Sequence, residues 1–208
     1  MAGSRDEPRQ QRSIATREAL LLGAARVFAH MPYSQARLRD ISQASRISEG
    51  ALYFHFGTKA QIAEAVLSAQ QDRMTSTLAG TLTGPQNGLQ KLFTVMSDLA
   101  ALMASDEVVQ AGIKLANEPS PDLASAAHDP YFEWIGIARS LLEDGVADGS
   151  VTSDLDVSSA AEFLNYAFVG AQTLAGMADR WKSLPERMLS VQRYVEPLLS
   201  GQVSTTAP

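Results

Sequence analysis

Residues 48–59 read Ser48-Glu49-Gly50-Ala51-Leu52-Tyr53-Phe54-His55-Phe56-Gly57-Thr58-Lys59. A serine hydroxyl accepts from backbone N–H groups two or three residues on, so Ser48 is placed to open a helix. Gly50 has no side chain and allows close backbone approach, and Ala51 is small enough to meet a thymine methyl. Tyr53 has a phenol and His55 a ring nitrogen, and either can donate to a phosphate. Lys59 opens the next helix and brings an ammonium together with a helix N-terminus, both of which attract a phosphate. Taken singly, Tyr53, Phe54 and Phe56 read as core aromatics and His55 as a surface imidazole. The whole run followed by Lys59 favours a grip on DNA.

The residues upstream fit the same reading. Leu38, Ile41 and Ala44 mark one face of a short helix, and Ser45-Arg46-Ile47 is a tight turn. Two short helices joined by three or four residues are the helix-turn-helix pattern. Before them Leu20, Leu21, Ala24, Val27 and Phe28 form one apolar face of a first helix. Ser13 or Thr16 would cap that helix, and Met31-Pro32-Tyr33 would end it. Residues 1–12 are polar and aperiodic and are expected to be a flexible arm.

Downstream, helices are predicted from Lys59 to about Ala79, Leu89 to Met103, Glu107 to Asn117, Pro130 to about Val146, Asp156 or Ser158 to about Ala178, and Leu184 to Leu199. The sequence shows no alternating strand pattern. The expected fold is all-α with about nine helices: a DNA-binding domain at 13–60, a larger helical domain at 61–201, and a disordered tail at 202–208.

The 208 residues carry a net charge of −6, unevenly spread. Residues 1–60 hold nine Arg or Lys against five acids, and the remainder eight against eighteen. A basic head on an acidic body suits a DNA-binding segment with a separate regulatory body. Cysteine is absent, which excludes disulfides, thiolate metal sites and cysteine nucleophiles. No apolar run reaches membrane-spanning length and the first residues lack an export-signal stretch, so the expected location is the cytoplasm. His30, His55 and His128 have no metal-binding spacing, and no nucleophile elbow, phosphate loop or dinucleotide fingerprint occurs. Glu143, Asp144, Asp154 and Asp156 read as caps and solvated surface. Neither an enzyme, a cofactor nor a metal is expected.

Gly50 to Phe56 followed by Lys59 resembles the recognition-helix end of the TetR family of transcriptional repressors, and the specific likeness spans about the first sixty residues. It implies that the second short helix enters the major groove and that Tyr53, His55 and Lys59 contact the DNA backbone. It also implies DNA-contacting positions at Arg37, Ser48, Glu49, Gly50 and Ala51. The chain departs from the family pattern at three places. Ala36-Arg37 stand where two threonines are common, and Arg37 would offer a charged phosphate contact. Arg46 replaces a turn glycine. Glu49 stands where Lys or Arg is frequent; it would either accept from a cytosine amino group or lower nonspecific affinity.

Val108–Ala116, Pro130–Ala138 and Asp154–Ala161 further resemble the γ-butyrolactone receptor branch of the family. That implies a pocket for a small lactone with an alkyl tail, with Trp134 against it; Trp134 by itself reads as a core tryptophan. Phe93, Met96, Ile113, Phe163 and Tyr166 are the proposed lining. Asn165 and Gln172 would face either the pocket or a second subunit. The last two helices are apolar on more than one side, as expected of a homodimer contact. The function implied is a homodimeric repressor released from operator DNA by a small hydrophobic ligand. A related regulator of an efflux or catabolic gene sensing another hydrophobe is the alternative, and a helical interaction protein without DNA binding is a third class.

Overall fold

The computed structural model describes residues 7–118, 123 and 130–202, with side chains for 10–118, 123 and 134–202. Residues 1–6 of the expected arm and 203–208 of the expected tail lie outside these. Among the described residues the regular structure is helical, in nine segments: α1 (Glu7–His30), α2 (Leu38–Ser45), α3 (Glu49–Phe56), α4 (Lys59–Leu82), α5 (Gly88–Ser105), α6 (Glu107–Asn117), α7 (Pro130–Asp148), α8 (Val157–Asp179) and α9 (Leu184–Leu199). These bounds fall within a few residues of the predicted ones except at α1.

Helix α1 begins at Glu7 rather than near residue 13, so part of the expected arm is helical. Glu, Arg and Gln are good helix formers, and Pro8 sits in the first turn, where no N–H partner is needed. Thr16 is no cap; its hydroxyl donates to the Arg12 carbonyl one turn back.

The chain packs as two compact units, and packing divides it differently from the linear split at residue 60. The first contains the described residues up to Arg73 together with α6 and Leu123; the second contains Met74–Ser105 and α7 to α9. In the first unit, Leu20, Ala24 and Phe28 of α1 share a core with Ile41 of α2, Leu52 of α3, Ile62 and Val66 of α4, and Val108, Ala111 and Leu115 of α6. Gly23 permits α1 and α2 to meet: a Cβ there would lie 2.8 Å from the Ser45 backbone. Asp106 caps α6 by accepting from the N–H groups of Val108 and Val109, and also pairs with Arg73 of α4.

In the second unit α5 packs against α7 and α9, and α8 against α7 and α9. Leu92, Leu99, Leu142 and Leu184 are fully buried. Asp156 caps α8 through the Ser159 N–H.

Candidate nucleic-acid interface

The helix-turn-helix is built from the turn outward. Ser42, Ser45 and Arg46 shape the reversal after α2. Arg46 takes the left-handed conformation, φ 59° and ψ 28°, that a glycine would adopt without cost. Hydroxyl contacts hold it there: Ser45 Oγ accepts from the Ile47 N–H at 3.3 Å, and Ser42 Oγ donates to the Ile47 carbonyl at 2.5 Å. The loss of the expected turn glycine therefore leaves the turn intact and puts an exposed guanidinium beside α3. At the start of α2, Asp40 accepts from the Arg37 N–H at 2.9 Å, the reciprocal half of a capping box. Arg37 is exposed at that helix end.

Ser48 caps α3, its hydroxyl accepting from the Ala51 N–H at 3.3 Å. Leu52 and Phe56, one turn apart, enter the core, and Arg17 covers the Phe56 ring with its guanidinium 4.9 Å from the centroid. The opposite face of α3 is open to solvent at Glu49, Gly50, Tyr53 and Phe54. A Cβ at Gly50 would meet nothing within 4 Å, so this face is unobstructed. Tyr53 is 54% and Phe54 82% exposed. Ala51 and His55 lie half-buried at the margin, and the His55 ring meets Phe54 edge-on at 5.3 Å.

Lys59 differs from its sequence reading. Its Nζ donates to the Tyr33 carbonyl at 2.8 Å and the Ala36 carbonyl at 3.2 Å, and lies 4.2 Å from the Tyr33 ring centroid. Two of its three donors are thus engaged within the protein. From the other side, Glu118 at the end of α6 accepts from the N–H groups of Tyr33 (2.7 Å) and Ser34 (3.3 Å), and Lys114 donates to the Ala29 carbonyl at 3.1 Å. The turn between α1 and α2 is clasped by Lys59 and Glu118, and the end of α1 before it by Lys114, all from distant parts of the chain. Lys114 and Glu118 were not singled out in the sequence, where nothing local marks contacts across about 85 positions. Phe54 was detectable, since it sits half a turn from both Leu52 and Phe56.

The proposed effector residues are split by the structure. Phe93 and Met96 are buried on α5, and Trp134 is half-buried on α7, all in the second unit. Ile113 is buried on α6, in the first unit. Phe163 and Tyr166 are corrected: at 54% and 63% exposure they lie on the outer face of α8 and do not line an interior. The helical period sends Ala161, Leu164 and Ala175 inward and leaves Phe163, Tyr166, Leu174 and Met177 as an outward apolar stripe. Asn165 and Gln172 are half-buried on the same helix.

Among the described residues no helix is long and apolar enough to cross a membrane, and no group of three or more His, Asp or Glu is arranged to hold a metal ion.

A capped eight-residue helix offering an open face, preceded by a serine-locked turn and flanked by Arg37 and Arg46, defines a helix-turn-helix DNA-binding regulator. Comparison with known proteins gives the family: residues 20–66 match the model of bacterial regulatory proteins of the tetR family, and residues 86–195 match the tetracyclin repressor-like C-terminal domain. The chain belongs to the TetR family of transcriptional regulators. It is 26% identical over 192 residues to the A-factor receptor protein of Streptomyces griseus, covering 92% of this chain and 66% of that protein, just under two thirds of its length. It is 30% identical over 206 residues to the HTH-type transcriptional repressor KstR2 of Mycolicibacterium smegmatis, covering 94% of each. A solved gamma-butyrolactone receptor, described as an ArpA-like protein, superposes with a TM-score of 0.66 at 27% identity, covering 86% of this chain and 99% of that one. The protein is a ligand-responsive transcriptional repressor of this family.

Proposed function

We propose that the chain acts in the cytoplasm as a homodimer that represses from a two-fold symmetric operator and is released by a small hydrophobic molecule of the γ-butyrolactone class. The open face of α3 carries the DNA half of this reading, with Ser48, Glu49, Gly50 and Ala51 toward the groove and Arg37, Tyr53, His55 and the remaining Lys59 donor toward phosphates. The outward stripe of α8 supports the dimer, because Phe163, Tyr166, Leu174 and Met177 are too much contiguous apolar surface for a helix left facing water. Exposed Leu189, Tyr194 and Leu198 on α9 add to it. Two copies joined there would offer two α3 helices to successive major-groove faces.

Similarity to a gamma-butyrolactone receptor supports the ligand class. The residues for it are those of the second unit: Trp134, which combines a large apolar wall with one N–H donor, and Phe93 and Met96. Release is a population shift: the ligand acts only through its difference in affinity between the DNA-binding state and another. Helix α4 begins in the first unit and ends in the second, and is the proposed lever. Similarity to KstR2 supports a second reading, in which a hydrophobe other than a lactone is sensed.

Fluorescence anisotropy with upstream intergenic DNA tests both. Binding in the nanomolar range, reversed by an alkyl-tailed γ-butyrolactone and not by an unrelated hydrophobe of equal size, is the expected result. Release by the other hydrophobe alone selects the second reading, and indifference to both defeats the release step.

A further inference from the structure

Helix α3 contains no Arg, Lys, Asn or Gln. Those are the side chains that read purines in the major groove: Arg or Lys grips guanine N7 and O6, and Asn or Gln grips adenine N7 and N6. What the open face presents instead is Glu49, Gly50, Tyr53 and Phe54. A carboxylate is the natural acceptor for the cytosine amino group, and an apolar ring is the natural partner of the thymine methyl. Phe54 is 82% exposed on a helix whose other two large apolar side chains, Leu52 and Phe56, are buried, so its ring has no role in holding the helix to its own core. Its one ring contact, the edge-on His55, leaves most of its surface free.

Glu49 and Phe54 lie at opposite margins of the exposed arc, five residues apart. That is about 7.5 Å along the helix axis, or about two base steps. An arc of this kind faces a groove about 12 Å wide with the two reading groups over different base pairs. Arg37 and Arg46 are exposed outside α3 and free to meet phosphates, whereas a carboxylate is repelled by a phosphate and attracted to a base amino donor.

We propose that α3 reads pyrimidine edges, with Phe54 packing on a thymine methyl and Glu49 accepting from a cytosine amino group about two steps away. This rests on the DNA-binding reading above and names what that surface recognises.

The test begins with selection of operator half-sites from a random duplex library by the full chain. Each thymine of the selected site is then replaced by deoxyuridine, which removes only the methyl, and each cytosine by thymine. Affinities are measured for the wild type, Phe54→Ala and Glu49→Gln. Phe54 is solvent-facing, so the alanine variant is expected to fold, and a thermal melt checks it. The expected result is one thymine whose methyl removal weakens the wild type about three- to tenfold and leaves Phe54→Ala within twofold. A cytosine preference should likewise be lost in Glu49→Gln alone. An equal deoxyuridine penalty in wild type and Phe54→Ala overturns the proposal and leaves DNA binding intact. So does a uniform loss of affinity in Phe54→Ala on every sequence, which would mean a nonspecific contact. A library from which the wild type selects nothing defeats the DNA-binding reading itself.

Discussion

The ammonium of Lys59 lies 2.8 Å from the carbonyl oxygen of Tyr33 and over the same residue's ring. A lysine at the first turn of α4 thereby holds the loop that orients α2, and with it the entry to the DNA-reading helix.

Replacing Lys59 with methionine keeps the stem and removes the charge. Hydrogen bonds to charged groups contribute about 1.5–3 kcal/mol, so a loss near the lower end is expected for this half-buried group. Urea denaturation measures it. DNA affinity should fall on all sequences with a change in salt slope below about one unit. An unchanged slope would mean that the remaining Lys59 donor meets no phosphate and that the residue acts on DNA binding only through the turn.

Arg46 offers the opposite trade. Glycine in its left-handed position relieves the backbone, so Arg46→Gly should stabilise the fold by about 0.5–1 kcal/mol. The same substitution removes an exposed cation beside α3 and should weaken DNA binding. Thermal melts and anisotropy on one preparation check both signs together.

The stripe on α8 predicts an assembly phenotype. Leu174→Glu with Met177→Glu places two charges on a face that is 58% and 81% exposed in the single chain. Helicity should be kept while sedimentation shows a monomer and operator affinity drops at least tenfold. A dimer that survives the pair would place the subunit contact elsewhere.

Acid stability follows from three capping carboxylates. The Ser159 hydroxyl, then its N–H, hold Asp156 below the ordinary carboxylate range. Ser150 and the Gly88 N–H do so for Asp148, and Ser183 for Asp179. A lowered folded pKa stabilises the folded state when the group is ionised. That contribution is complete above the unfolded value of about 3.9 and is lost as pH falls through the folded one. Stability should be level from pH 7 to about 5 with respect to these groups, then decline below about 4. Asp156→Asn, which keeps a cap acceptor, should flatten part of that decline in urea titrations from pH 7 to 3.

Much of this architecture was legible because it is local. Apolar spacing located α2, α5, α6, α8 and α9, and Ser48 marked the start of α3. The face of α3 open to solvent follows from Leu52 and Phe56 lying one turn apart. What spacing does not reveal is which partner a face meets. Phe163 and Tyr166 have the same composition as pocket-lining residues, and only the register of α8 sends them outward. Lys59 looked free because its acceptors are backbone carbonyls 23 and 26 residues earlier, and carbonyls carry no sequence signature. The pairing of Glu118 with Tyr33 and Ser34 is hidden for the same reason, as is the place of α6 beside α1.

That last arrangement bears on how such regulators can be recombined. Because Val108, Ala111 and Leu115 complete the layer begun by Phe28 and Ile41, a fragment severed behind α4 would expose raw hydrocarbon and precipitate or misfold. A chimaera that transplants this reader onto a foreign sensor must carry two non-contiguous pieces of polypeptide, with splices nearest Arg73 and Asp106 and a third beyond α6.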